Sequence, residues 1–101
     1  MTDAKQISTT ILQQLGGNKF IAMTGAKNFT YDKDGALSFS IPRSKGINRV
    51  KITLRWDDTY TMTFSYVHGA KFTEKAVVPG IFFDDLQPTF TEHTGLLTKL
   101  F

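Results

Sequence analysis

The first fifteen residues carry apolar side chains at the spacing of a helix. Apolar positions recur three and four residues apart from Ala4 to Leu15, so they fall on one side of a helix. Thr2 or Asp3 can cap the free N–H groups at its start, and Gly16-Gly17 supplies a left-handed residue at its end. The sequence therefore predicts an amphipathic helix over residues 4–15.

After Lys19 the apolar positions alternate with polar ones, which is typical of strands with one buried side. In residues 49–56 every second residue is apolar and the others are Lys, Arg or Thr, and residues 59–66 repeat the alternation with aromatic and Met side chains. Asp57-Asp58 joins these two segments into a hairpin. The predicted strands are 20–24 with an extension beyond a bulge at 28–31, then 37–41, 49–56, 59–66 and 72–78.

Turn and helix signals complete the pattern. Pro42 and Pro79-Gly80 are expected to end strands, and Asp32–Gly35 is predicted to form a hairpin turn. The same four residues resemble the start of a calcium loop, but the distal glutamate that such a loop requires is missing. Apolar residues four apart after Gly80 predict a second helix, in which Pro88 either causes a kink or lies in the first turn. Gly95 is expected to end it, leaving an apolar tail over residues 96–101 that docks on the core or forms a homo-oligomer interface.

The order of elements predicts the fold class and the domain content. A chain of 101 residues with 41% apolar residues matches one α+β domain over residues 1–101. We expect a single antiparallel sheet of four to five strands, with the N-terminal and C-terminal helices packed on its aromatic face. The other face is expected to remain exposed to water.

Composition excludes several kinds of chemistry. There is no cysteine, so disulfides, cysteine zinc sites and thiol catalysis are excluded. The acidic residues Asp84 and Asp85 are adjacent and cannot both face one metal on a helix, and neither His68 nor His93 lies in a triad pattern. No targeting segment or membrane-spanning apolar run is evident. We predict a cytoplasmic protein with no cofactor, no metal and no membrane contact.

The charge pattern gives the strongest candidate site. Residues 43–55 contain five cations and no acid, although the net charge of the chain is only +3. Alternation places Arg49, Lys51 and Arg55 on the exposed side, beside Ser and Thr of neighbouring strands, as a plate suited to phosphates or to an acidic protein. An ordinary solvated sheet surface is the alternative. The candidate binding residues are Arg43, Lys45, Arg49, Lys51, Arg55 and, in a separate segment that is either a small-residue loop or a bulged strand crossing, Lys27 and Asn28.

Three segments resemble a family of small proteins encoded by bacteriophages and prophages. They are Leu15–Phe29 (LGGNKFIAMTGAKNF), Val50–Leu54 (VKITL) and Phe90–Leu96 (FTEHTGL), which together span most of the chain. Pro88 departs from the smooth helical pattern of that family's C-terminal segment. The resemblance implies an origin in a phage or mobile element, and it identifies no active site.

These observations lead to two functional hypotheses, neither of them enzymatic. The first is a phage-derived accessory binding protein that occupies a surface on a host or phage macromolecule, for example to inhibit a defence complex. The second is a nucleic-acid-backbone binder that uses the same basic sheet face. The aromatic residues of the central hairpin alternate inward, which disfavours recognition by base stacking.

Overall fold

The computed structural model describes residues 3–98, which form an α+β fold with one five-stranded antiparallel sheet. The strands lie in the order of the sequence, β1-β2-β3-β4-β5, and all helices lie on one face. This confirms the predicted fold class and adds a third helix. The elements are α1 (Ala4–Leu15), α2 (Gly17–Thr24), β1 (Lys27–Tyr31), β2 (Leu37–Ser44), β3 (Ile47–Leu54), β4 (Tyr60–His68), β5 (Lys71–Ile81), a 3-10 turn (Phe83–Asp85) and α3 (Leu86–Thr94).

Helix α1 has the predicted boundaries. The Asp3 carboxylate accepts a hydrogen bond of 2.7 Å from the N–H of Gln6, which satisfies one of the free donors at the helix start. Gly16, with φ of 123°, ends the helix in a conformation that favours glycine. Ile11 and Leu15 are fully buried, so the predicted apolar side of α1 is the side that packs on the core.

The predicted strand at 20–24 is wrong, because these residues form the second half of helix α2. Phe20 and Thr24 are buried four residues apart, and the Thr24 hydroxyl donates to the Phe20 carbonyl at 2.7 Å. Gly25, with φ of 73°, ends the helix. A short apolar run fits either a strand or a helix, and the docking of the Phe20 ring into the core decides for the helix.

Two prolines do not end the strands that contain them. β2 continues past Pro42 to Ser44, and a register irregularity between Ser40 and Ser44 accommodates the missing N–H. β5 continues past Pro79-Gly80 to Ile81, which is possible because β5 is an edge strand that needs only one set of backbone partners. Both predicted stops were therefore wrong.

The two strands of the central hairpin depart from the prediction in opposite directions, since β3 lies two residues earlier than predicted and β4 begins one residue later and continues to His68. β3 ends at Leu54, and Trp56 lies in the turn with 88% of its surface exposed, so its predicted inward orientation is wrong. Asp57 stabilises the turn by accepting hydrogen bonds from the N–H and hydroxyl of Thr59, at 3.2 and 2.7 Å. Because the turn held by these bonds begins directly after Leu54, the alternation of the strand stops there and the Trp56 side chain does not reach the core.

Helix α3 resolves the question raised by Pro88. The helix begins at Leu86, so Pro88 lies in its first turn, where an N–H has no helical partner in any case. Gly95, with φ of 76°, ends the helix as predicted. Of the apolar tail, Leu96 packs against the core and Leu97 is exposed, whereas residues 99–101 lie outside the described range.

The core lies between the helices and one face of the sheet. The Phe20 ring meets the rings of Phe39 and Phe90 edge-on, with centroids 5.5 and 5.0 Å apart, so each helix-borne ring contacts the sheet or the other helix. The Gln87 side chain donates to the Leu15 carbonyl at 2.7 Å and joins α3 to α1. Within residues 3–98, no helix covers the opposite face of the sheet.

Candidate functional site on the open face of the sheet

The open face is the side of the sheet opposite the helices, and alternation along the strands defines it. In β3, Val50 and Ile52 are fully buried in the core, so Arg49 and Lys51 point to the other side. In β2 and β4 the residues between the core positions are small hydroxyl side chains. On the three central strands the open face thus consists of Ser38 and Ser40 on β2, Arg49, Lys51 and Thr53 on β3, and Thr61, Thr63 and Ser65 on β4.

Each cation of β3 lies between two hydroxyl side chains. Arg49 pairs with Ser40 on β2 and with Ser65 on β4. Lys51 likewise pairs with Ser38 and Thr63. Directly paired residues have side chains about 5 Å apart, so Ser40 beside Arg49 and Ser38 and Thr63 beside Lys51 can donate to the same anionic group as the cation, whereas Ser65 is buried.

The two cations differ in how far their charge is offset. The Lys51 ammonium lies 3.8 Å from an Asp32 carboxylate oxygen, in the one salt bridge among residues 3–98. A hydrogen bond from the Ala36 N–H lowers the pKa of Asp32, and the neighbouring Lys51 charge acts in the same direction. Asp32 is therefore ionised at neutral pH, and Arg49 is the cation of the open face with no such partner in the described structure.

Arg55 extends the row beyond the end of β3. Its N–H donates to the Thr59 carbonyl at 2.8 Å, which continues the strand pairing by one position, and its side chain is exposed. Asp57 and Asp58 lie in the same turn, and the hydrogen bond from the Thr59 hydroxyl lowers the pKa of Asp57. Acidic side chains therefore accompany Arg55, as Asp32 accompanies Lys51, whereas the acid nearest to Arg49 in its own row is Glu74, two strands away on the same face.

Arg43 and Lys45 lie away from this row. The Arg43 guanidinium is 4.9 Å from the ring centroid of Tyr66, a residue that follows the alternation of the core side of β4. Lys45 lies in the turn between β2 and β3, and its side chain passes beside Gly95 at the end of α3. The structure thus divides the five cations of residues 43–55 between the open face and the helix side.

Lys27 and Asn28 are the first two residues of β1, which makes their segment a bulged strand and not a loop, and they come together with Arg49. Asn28 has a φ of 59°, and the pairing of β1 with β2 shifts register between Lys27 and Thr30. This bulge turns the side chains of Lys27 and Asn28 toward an open cavity of about 480 Å³ on the same face. Six of the residues lining the cavity are Lys27, Asn28, Ser40, Asn48, Arg49 and Phe72.

Asn48 lines this cavity and holds the neighbouring backbone of β4 in place. Its side-chain amide donates to the Val67 carbonyl and accepts from the Val67 N–H, both at 2.8 Å. The side chain thereby replaces a backbone pair between β3 and β4 where the two strands end. The wall of the cavity next to Arg49 is consequently held by two hydrogen bonds, which favours a preformed binding surface.

Phe72 is a residue of this face that sequence reasoning missed. It pairs with Val67 on β4, so its ring lies on the open side, with 63% of its surface exposed. The sequence could have indicated its position through the two-residue turn Gly69-Ala70 between His68 and Lys71, because a hairpin closed by that turn places Val67 opposite Phe72. Only the aromatic residues of the central hairpin were predicted to point inward, and Phe72 on β5 adds one aromatic ring to the open face.

Comparison of the chain with protein-family models, with curated proteins and with solved structures gives no significant match. The resemblance to phage-encoded proteins therefore stays a prediction. Across residues 3–98 no group of three or more His, Asp or Glu side chains is placed to hold a metal ion. In the same range, no helix has the length and apolar character needed to cross a membrane.

Proposed function

We propose that this protein is a non-enzymatic binding protein whose open sheet face covers an acidic surface of a partner protein. The observation that supports this proposal most directly is the position of Arg49, which pairs with two serines on a face that no helix of the described residues covers. In the phage setting that the sequence resemblance implies, the partner is a host or phage macromolecule. Inhibition of a defence complex is one form that such binding would take.

The chemistry of the face suits protein recognition. A guanidinium group can bind a carboxylate through two parallel hydrogen bonds, and the flanking hydroxyl groups can complete its surroundings. Phe72 and Val77 add exposed apolar surface at the β5 side of the face. Arginine and aromatic side chains are the residues that most often dominate binding energy at protein interfaces.

The test is an affinity purification from phage-infected host lysate with two matched baits. The first bait carries Arg49→Glu, Lys51→Gln and Arg55→Glu, where Gln avoids placing a negative charge next to Asp32. The second carries Arg43→Glu and Lys45→Glu, which reverse charges in the same segment on the other side of the sheet. We expect the first bait to lose a partner that the wild type and the second bait retain.

Both baits should first be shown to unfold at the urea concentration of the wild type, so that lost binding cannot be due to misfolding. A purified partner should then bind the first bait at least tenfold more weakly, which is about 1.4 kcal/mol. Undiminished binding of that bait would show that the open face is not the contact surface.

A second candidate function, binding of single-stranded nucleic acid, is favoured by Phe72. Its exposed ring lines the same cavity as Lys27 and Arg49, so one base could stack on the ring while the two cations contact phosphates. Two neutralised phosphates predict a slope of about −1.4 for the logarithm of the binding constant against the logarithm of salt concentration.

Titration of a fluorescent oligothymidine between about 50 and 200 mM salt tests this candidate. Phe72→Ala should reduce the affinity about tenfold, since stacking contributes about 1–3 kcal/mol per base. Phe82→Ala, which removes an exposed ring outside the cavity, should leave the affinity unchanged. Flat, weak isotherms for the wild-type protein would exclude nucleic acid as the partner.

A further inference from the structure

The two edges of the sheet differ in their capacity to pair with another strand. β1 has five residues, a register shift between Lys27 and Thr30, and a left-handed residue at Asn28. β5 has eleven residues and a single sheet neighbour, β4. Apart from its two register shifts, at Lys75 and at Pro79-Gly80, β5 directs the N–H and C=O groups of every second residue away from the sheet, and such an edge is a template for another strand.

The side chains of β5 on the open face are apolar at two exposed positions. Phe72 pairs with Val67 and Val77 pairs with Thr63, so both point to the open side, and they are 63% and 49% exposed. Glu74 pairs with Ser65 and shares this side. Lys75 is the extra residue at the register shift, since its neighbours on either side pair with consecutive residues of β4.

The β5 strands of two copies can pair in one antiparallel register that gives each of these side chains a complementary partner. When Phe72 lies opposite Val77 of a second copy, Glu74 lies opposite Lys75 of that copy, and the two-fold symmetry repeats both pairs. A register shifted by one residue instead places Glu74 opposite Glu74 of the second copy and Phe72 opposite its Ala76. Ala76 pairs with the core residue Phe64 and belongs to the helix side of the sheet, so that register mismatches the faces.

We propose that the β5 edge binds the β5 edge of a second copy of this chain, which forms a continuous ten-stranded antiparallel sheet. The two exposed apolar pairs and the two opposite charge pairs supply the complementarity. Pro79 lacks an N–H and limits the pairing to the segment before it. Because β1 is a poor template, the assembly closes as a dimer and does not grow into a fibre.

The dimer has a geometric consequence for the open faces. A two-fold axis perpendicular to the sheet puts both open faces on the same side and all helices on the other. Arg49 of one copy is five strand spacings, about 24 Å, from Arg49 of the other. The dimer forms whether or not the open face binds an acidic partner, and an acidic partner spanning both copies would gain affinity from their linkage.

A charge-exchange experiment tests the proposed register by sedimentation velocity over micromolar to millimolar concentrations. The wild-type mass should rise from 11.3 kDa towards twice that value as concentration increases. Glu74→Lys and Lys75→Glu, each alone, put like charges opposite one another at two places and should raise the dissociation constant about tenfold or more. An equimolar mixture of the two variants places opposite charges together again and should restore dimerisation.

The mixture separates a specific interface from a folding defect, because two misfolded variants would not rescue one another. Exchange of charges at Lys33 and Asp34, exposed residues of the β1–β2 turn, is the matched control and should not alter the mass. A wild-type protein that sediments as a monomer at every concentration would overturn the proposal. So would a dimer that both single substitutions leave intact.

Discussion

The two faces of the sheet are built from alternate residues of the same strands but have different roles. In β4 the core side carries Met62 and Phe64, both fully buried, whereas the open side between them carries Thr63. Threonine is β-branched and suits a strand as well as an apolar residue does, so the open face keeps its strand preference without burying an apolar side chain. Stability can therefore reside on one face while the other remains free to bind.

The largest effect that tests this comparison is expected from the core face. Phe39 is fully buried, and its ring centroid is 5.5 Å from that of Phe20 and 5.2 Å from that of Phe29. Phe39→Ala should lower the free energy of unfolding by about 3–5 kcal/mol, because it removes apolar burial and leaves a cavity. Urea denaturation followed by circular dichroism measures this loss.

The matched control removes the same side chain from an exposed position. Phe82 has 60% of its surface exposed, so Phe82→Ala should change the free energy of unfolding by less than about 0.5 kcal/mol. If both substitutions lowered the free energy of unfolding by similar amounts, burial on the core face would not be the source of stability.

A smaller but still clear effect is expected where α1 meets the hairpin that begins the sheet. Gly35 has a φ of 87°, and a Cβ there would lie 2.7 Å from Ile7 Cβ and 3.1 Å from the Ala4 carbonyl oxygen. Gly35→Ala should therefore cost about 2–4 kcal/mol, from backbone strain together with overpacking. Thermal and urea unfolding both report it.

Gly46 provides the comparison for Gly35, because it has a φ of 74° but no neighbouring atom lies within 4 Å of the point that a Cβ would occupy. Gly46→Ala should cost only about 1 kcal/mol, the backbone part of the effect. Equal costs at the two glycines would mean that contact with α1 contributes nothing.

The smallest effect concerns how the stability of the fold depends on pH through Asp32, in the turn between β1 and β2. The Ala36 N–H lowers the pKa of Asp32, so the folded state favours the carboxylate and its stabilising effect is present above the usual pKa of aspartate. As pH falls through the lowered pKa, protonation removes that effect. Asp32→Asn should thus be less stable than the wild type at pH 7, with a difference that shrinks on acidification below about pH 4.

The pH series should be run with Asp34→Asn in parallel. Asp34 lies in the same turn, and its carboxylate accepts no hydrogen bond among the described residues, so Asp34→Asn controls for the loss of one charge from this turn. A stability difference for Asp32→Asn that stays constant down to about pH 2 would contradict the assignment.

Much of the fold could be predicted from local signals. The caps around Ala4–Leu15 marked both ends of α1, and the strict alternation of 49–56 and 59–66 predicted the central hairpin and its two faces. These segments were predictable because each repeats one period over two or more turns or pairs. Gly95 was predictable for a similar reason, since the left-handed end of a helix strongly favours glycine.

The remaining elements depend on distant contacts. Residues 20–24 are too few to distinguish a strand from a helix, and the contact of Phe20 with Phe39 and Phe90 decides the outcome. The strand containing Pro79 could continue only because it became an edge. Both facts depend on the assembled tertiary structure.

The candidate site was predictable only in part, for the same reason. Alternation placed Arg49 and Lys51 together, whereas the approach of Lys27 and Asn28 to Arg49 depends on a register shift between β1 and β2. Nothing in residues 27–28 alone specifies that shift. Arg43 and Lys45 belong to the same charged segment, but the irregular pairing between Ser40 and Ser44 carries them to other surroundings.

The strand order has a consequence for the way the chain folds. Each strand pairs with the one that precedes or follows it in sequence, so the sheet can grow one hairpin at a time without closing a long loop. The hydrogen bond from Gln87 to the Leu15 carbonyl is different, because it joins residues 72 positions apart. During synthesis α1 is made well before α3, and its packing is therefore completed by the last helix to emerge.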